Sequence, residues 1–436
     1  MDRRKFLGTA AALAVCQGLS ACGGAAADGV VRISLLDHTI PDQLIRAFRQ
    51  QYEGNLPLKF EVADQLANLY EQLLLVRSPA PPLDWLNRRR RFSMRFWRRQ
   101  SKPADLVSLN DYWLAAAIRQ KLILPLDTDS LDRWSNLAPR WQALVRRDAS
   151  GMPAADEPVW GAPYRWGSLM MVYRDRPFQS FAWTPTDWGD LWTSELAGQI
   201  SLPANPRLVL GLVLKKLGKS ANSRNLDAQW PEIEAEMKQL HRQVKFYSSD
   251  NYLQALVTKS TTLAVGWSTD ILPALKRNRD LRIAIPNSGT LLSADVWVKS
   301  RPQSQFSLPN ALGSGLNSPR NFRKPLLKPW TNFLEEIESA PLETALPTPQ
   351  VLEYPLANWI DFFWDAQAAT QLSVSNQGSS PLYTSRDAPE LPEPLRDNLA
   401  LLPTTEIYKR SEFLYPLDYA DQKRYRDLLN LLHDAD

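Results

Sequence analysis

Two periods alternate along the apolar positions of this chain. Val30-Val31-Arg32-Ile33-Ser34-Leu35-Leu36 is a mostly apolar run that suits a buried strand. Behind Pro41, the residues Leu44, Ile45, Phe48 and Tyr52 recur at helical spacing. Leu58-Lys59-Phe60-Glu61-Val62 alternates and predicts a second strand, and Leu66, Leu69, Tyr70, Leu73 and Leu74 predict the next helix. Strand, helix, strand, helix predicts a parallel α/β sheet. Ala104 to Val107 resumes as a strand, Trp113 to Lys121 as a helix, and Leu122 to Asp127 as a turn. Val159 to Tyr173 is apolar and aromatic. Beyond it, helices are predicted over Trp188 to Leu196, Leu208 to Leu217 and Ile233 to Val244. Strands are predicted over Gln199 to Leu202, Leu263 to Trp267 and Leu281 to Ile285. Two stretches break the pattern. Residues 77–102 carry Arg88-Arg89-Arg90-Arg91-Phe92 and Arg95-Phe96-Trp97-Arg98-Arg99, and residues 300–325 are rich in Pro, Ser and Asn.

Composition narrows the class. With 436 residues, 44% hydrophobic and 22% charged, the chain is a globular protein long enough for two lobes of ordinary domain size. Its only cysteines are Cys16 and Cys22, so no disulfide and no cysteine metal site is expected in the body of the fold. Three scattered histidines (His38, His241, His433) argue against a histidine metal centre, and neither metal nor cofactor is expected. No Gly-x-Ser-x-Gly elbow, His-Glu-x-x-His pair or phosphate-binding glycine loop occurs, so the chain reads as a non-enzyme. The plentiful carboxylates keep a paired-acid hydrolase as an alternative. Sixteen tryptophans fill cores or wall a ligand.

The N-terminus addresses the chain. Arg3, Arg4, Lys5, Phe6 and Leu7 resemble a twin-arginine export signal. The apolar run from Phe6 to Leu19, about 14 residues, is short of a membrane span. Leu19-Ser20-Ala21-Cys22 resembles the lipobox of bacterial lipoproteins, which implies cleavage before Cys22 and a lipid on its thiol. The localisation expected is extracytoplasmic and membrane-anchored. Loss of residues 1–21 removes three cations and one anion and takes the formal charge from +4 to +2, a balance that gives no reason to expect nucleic acid as partner. The basic stretch 77–102 is expected either to touch anionic lipid or to be a solvated charged loop.

An ordered series of short motifs carries a wider resemblance. It runs Asp111-Tyr112, Leu122-Ile123-Leu124-Pro125-Leu126-Asp127, Pro163-Tyr164-Arg165-Trp166-Gly167 and Asp187-Trp188-Gly189-Asp190-Leu191-Trp192. It continues with Pro206 to Leu212, Ala264-Val265-Gly266-Trp267-Ser268-Thr269-Asp270 and Gly289-Thr290-Leu291-Leu292-Ser293-Ala294-Asp295. In this order the pieces resemble the polyamine-binding proteins of ABC transporters, a branch of the bacterial extracellular solute-binding proteins. The resemblance implies an α/β fold in two lobes, a clamp with the ligand cleft between them. Lobe 1 is expected over 30–163 and 292–385, with the basic insertion 77–102 and a Pro-rich insertion 300–350. Lobe 2 is expected over 164–291 and 386–436, behind a signal peptide 1–21 and a lipidated tether 22–29. The implied partners are a small ligand (amine, polyamine or zwitterion), an ABC permease, and the membrane through Cys22. A lipoprotein that kept the clamp and lost transport is the second reading.

The resemblance also implies a site. Tyr112, Trp267 and Asp295 match ligand-contacting positions, with a carboxylate to pair an ammonium and aromatic faces to cover methylenes. Trp166 reads as packing near the hinge. The departures bear on specificity. The first strand-to-helix loop reads Leu36-Asp37-His38-Thr39, with His38 where an acid is common. Asn205 and Leu208 replace carboxylates before and within the Pro206 helix, and Gly378 replaces an aromatic. Arg165 adds a cation near the cleft. Fewer acids and one added arginine weaken a two-ended dication as ligand and favour a monoamine, a zwitterion or a neutral polar molecule.

Overall fold

The computed structural model describes residues 30–52, 58–77, 104–302 and 353–434, apart from residues 225, 250, 377, 397–400 and 418. The export segment with Cys22, the basic insertion beyond Arg77 and the Pro-rich insertion from 303 lie outside the described residues. The strands are β1 (Val31–Leu36), β2 (Leu58–Ala63), β3 (Leu106–Asn110), β4 (Ile123–Leu124), β5 (Ala162–Arg174), β6 (Ile200–Leu202), β7 (Val244–Tyr247), β8 (Leu263–Trp267), β9 (Leu281–Ala284), β10 (Leu291–Ser300) and β11 (Glu412–Phe413). They form one path, β2-β1-β3-β10-β5-β8-β6-β7, with β4 and β11 on β10 and β9 on β5. The opening strands β1, β2 and β3 are parallel, as their alternation with helices predicts.

The middle of the path differs in kind, because β5 and β10 run antiparallel and pass from one lobe to the other. Ala162, Tyr164 and Trp166 of β5 lie in the first hydrophobic core, and Leu169, Met171 and Tyr173 lie in the second. This explains why the Val159 to Tyr173 run is apolar throughout: it is one strand buried in two cores in turn. Met170 and Val172, on the opposite face, pack with residues of the helices Tyr252–Val257 and Ser268–Arg277. On β10, Leu291 belongs to the second core and Leu292 to the first. A third crossing follows at Phe413 and Leu414, which are likewise divided between the cores. Leu292 faces Ser168 on one side and Phe413 on the other, so the three crossings lie in register.

Cations from both sides fasten the third crossing by its carbonyls. Arg140 donates to the Tyr408 carbonyl at 2.8 Å and to the Ser411 carbonyl. Lys215 donates to the Arg410 carbonyl at 2.8 Å, and Arg207 to the Tyr415 carbonyl at 3.0 Å. Asn222 accepts from the Tyr415 N–H and donates to the Phe413 carbonyl.

In the second lobe the helix Pro206–Lys216 is buried on all sides from Arg207 to Lys215. Asn205 caps it by accepting from the Leu208 N–H at 3.2 Å, with Pro206 in the first turn. The helix predicted over Trp188 to Leu196 is instead two short 3-10 turns, Trp188–Trp192 and Ser194–Leu196. Asp187 and Asp190 form a reciprocal cap there, and the buried Trp188 and Leu191 are three apart, the repeat of a 3-10 turn.

Trp297 of β10 is fully buried, stacked on Tyr164 with ring centroids 4.5 Å apart and edge-on to Trp359. Trp297→Ala is expected to cost about 3–5 kcal/mol of stability. A denaturant titration checks this, and a midpoint equal to the parent's would show that the stack contributes little.

Candidate functional site

Where β10 leaves the crossing, its ladder with β5 shifts register between Asp295 and Val296. Asp295 lies inside β10, which continues to Ser300, and stands directly opposite Arg165 of β5 just before the shift. Arg165 Nη1 stands 3.4 Å from Asp295 Oδ2, and both side chains are largely buried. Burial pushes the Asp295 carboxyl up, the guanidinium and a hydrogen bond from Asn110 pull it down, and Asp270 pushes it up again. Arg165 Nε has no hydrogen-bond partner among the described residues. Gly378 backs this guanidinium: a Cβ there would collide with Nε and lie 2.9 Å from Cγ.

The second carboxylate comes from the helix Ser268–Arg277. Asp270 sits in its first turn, one turn beyond Trp267, which ends β8 and serves as the N-cap residue. Asp270 Oδ2 accepts from the Tyr252 hydroxyl at 2.7 Å. Its carboxyl is raised by the surrounding protein and lowered by Tyr252 and Arg165, although the residue itself is reached by solvent. Gly266 makes the Tyr252 arrangement possible, because a Cβ there would meet the Tyr252 hydroxyl at 2.5 Å. Trp267 is half-buried and packs on the second core.

From the first lobe, the turn after β3 supplies Asn110, Asp111 and Tyr112. Asn110 Nδ2 donates to Ser293 Oγ at 2.6 Å. Asp111 Oδ1 accepts from the Ala294 N–H at 2.8 Å and from Ser293 Oγ at 3.3 Å. Burial lifts the Asp111 carboxyl to about 7 against these hydrogen bonds and the positive charge of Arg147. Tyr112 is half-buried and reaches over to the second core, while Leu272 of the second lobe packs in the first. Burial raises the Tyr112 hydroxyl, with Arg207 opposing.

Of the positions singled out in the sequence, Arg165 and Asp295 are in direct contact, and Trp267 adjoins the helix whose Asp270 is coupled to both. Asp37 and His38 make their contact with each other, Nε2 to Oδ2 at 3.1 Å, on an exposed loop where His38 takes a φ of 59°. The Asn205 carbonyl oxygen is occupied as a helix cap. Trp166 is buried and donates to the Ser380 and Tyr383 carbonyls. Sequence reasoning missed Asp270, Tyr252, Asn110 and Arg147. An acid in the first helical turn behind the Trp267 strand was a usable signal for Asp270; nothing local marked Tyr252. Among the described residues no group of three or more His, Cys, Asp or Glu is placed to hold a metal ion.

Comparison with known proteins bears on this arrangement. Residues 99–304 match the family profile described as bacterial extracellular solute-binding protein. The spermidine/putrescine-binding periplasmic protein of Escherichia coli is 26% identical over 194 residues, 44% of this chain and 52% of that one. The match thus spans about half the length of that curated relative. Among solved structures, the spermidine/putrescine ABC transporter substrate-binding protein of Streptococcus pneumoniae superposes with a TM-score of 0.66 at 19% identity, over 93% of this chain and 99% of that one. A Treponema pallidum lipoprotein superposes with a TM-score of 0.56 at 14% identity, over 92% and 99% of the two chains. The resemblance read from the ordered motifs is borne out, and so is the two-lobed α/β fold.

The Asp111 carboxyl is held above its ordinary 3.8 in the folded state, so folding favours its protonated form. Its contribution is therefore present at low pH and lost as pH rises from about 4 to about 7. Relative to Asp111→Asn, the parent is expected to lose on the order of 4 kcal/mol across that window and no more above it. Denaturation midpoints of both proteins against pH check this; parallel curves would show that Asp111 ionises as it does in water.

Proposed function

We propose that this chain is an extracytoplasmic solute-binding protein that takes a small amine or polyamine-like solute into the cleft between its lobes and delivers it to an ABC permease. The observation that carries this reading is the meeting of Asp270, Asp295 and Trp267 beside the crossing strands, within the span that matches the solute-binding family. Carboxylates pair an ammonium, an indole face covers it or its methylenes, and the surrounding protein excludes water. Tyr112, Asp37, His38, Arg165 and Asn205 remain candidate contacts at the rim or floor of the cleft, and the lobe boundaries belong to the same proposal, with the last one moved from 385/386 to Phe413/Leu414, because Leu391, Leu395, Leu401 and Leu402 pack in the first core.

A clamp of this kind works by population. Ligand contacts with both lobes favour the closed arrangement, and a permease reads the difference. The relatives are binding proteins, which fits a chain in which Asp295 pairs with Arg165 and Asp270 accepts from Tyr252. The N-terminal motifs complete the reading with export by the twin-arginine route and a lipid on Cys22.

Two measurements test it. Calorimetry with putrescine, spermidine and single amines is expected to give saturable binding, and Trp267→Ala is expected to weaken the best ligand by about 1–2 kcal/mol, roughly tenfold. No heat with any amine would overturn the amine reading, and a Trp267→Ala protein that melts would assign the indole to the core. Mass spectrometry of membrane-extracted protein is expected to show a modified N-terminal Cys22. A soluble chain beginning at Met1 would remove the anchor.

A further inference from the structure

The cleft contains its own cation. Arg165 is buried, directed at Asp295, and seated against a residue with no side chain to displace it. The two carboxylates that interact with this guanidinium are Asp295 and Asp270, and they also repel each other. One positive charge against two negative ones leaves a single uncompensated negative charge. The neighbouring acid, Asp111, has the buried Arg147 as its own counter-ion. Of the two carboxylates, Asp295 is the one Arg165 occupies, while Asp270 is open to solvent and, among the described residues, is hydrogen-bonded by the Tyr252 hydroxyl alone. A buried charge is tolerated when it is paired and is very costly when it is not. A second ammonium of a ligand would have to share Asp295 with the guanidinium, at the short range where like charges repel strongly.

From this we infer that Arg165 is a specificity-determining residue, a tethered cation that occupies Asp295 and leaves the cleft one negative charge, on Asp270, for a ligand with a single ammonium group. The inference rests on the amine-binding reading and narrows it to monocationic alkylamines. Gly378 is part of the device, because it is what lets the guanidinium lie against its backbone.

The test uses three ligands that differ at one end only: 1-aminobutane, 1,4-diaminobutane and 4-aminobutyrate. On the parent protein, calorimetry is expected to give at least about tenfold tighter binding of the monoamine than of the diamine. Arg165→Gln frees Asp295 and is expected to reverse that order. Arg165→Gln combined with Asp295→Asn restores the original charge balance and is expected to restore the preference for the monoamine. Should Arg165→Gln fail to fold, Gly378→Ala takes its place, since the added methyl displaces the guanidinium without changing charge. An unchanged ratio of the two amines in a folded Arg165→Gln protein overturns the inference and leaves the amine reading standing. A preference for 4-aminobutyrate that disappears in Arg165→Gln overturns it too, by showing that the guanidinium takes a ligand carboxylate. Failure of all three ligands on every variant overturns the amine reading and this inference with it.

Discussion

Everything in this molecule depends on three strands crossing between its lobes in register. β5, β10 and the β11 segment change cores at Ser168/Leu169, Leu291/Leu292 and Phe413/Leu414, and Ser168, Leu292 and Phe413 face one another across the ladder. A chain that passes between two cores must carry its backbone N–H and C=O groups through the junction, and each one left unpaired in a dry place costs the desolvation of a polar group. Crossing as a sheet solves this for all three passes together. The same unbroken register that carries Leu292 opposite Ser168 sets Asp295 opposite Arg165 three residues on, so the candidate site follows from the junction itself.

The third crossing is short, two residues of strand, and a ladder of that length cannot hold it alone. Side-chain donors supply the rest. Arg140 from one side, and Arg207, Lys215 and Asn222 from the other, fill five carbonyl acceptors between Tyr408 and Tyr415. Hydrogen bonds from charged donors contribute about 1.5–3 kcal/mol each. Burial opposes them, and it brings the Arg207 guanidinium down to about 10, still well above neutral pH. Arg147 lies with its guanidinium 4.8 Å from the Tyr415 ring, so a cation from the first lobe and one from the second touch the same residue.

At the candidate site an ion pair at 3.4 Å joins two largely buried groups and is sensitive to any further charge brought near it. Arg165 occupies Asp295, so the proposed selection among ligands turns on this one contact. Asp270 shows the complementary arrangement, with one neutral donor on it and one side open to water.

How much of this was written in the sequence divides along physical lines. The alternation of periods predicted the opening parallel strands and their helices, because burial of one face imposes a repeat that survives in any single segment. The apolar runs at Leu208 to Leu214 and Leu263 to Trp267 marked buried elements for the same reason, and ordered motifs carried the fold. Arg165 and Asp295 were each visible as charges in apolar surroundings. Their contact was not, since 130 positions separate them and the strand register that sets them opposite each other has no local signature. Asp270 and Tyr252 meet only because Gly266 leaves room for a ring from another element. Periodicity and composition were enough to tell which segments are buried and where charge enters them. Which charge faces which was left to the fold, because pairing energy depends on distances between distant parts of the chain, and those distances are set by how the strands cross.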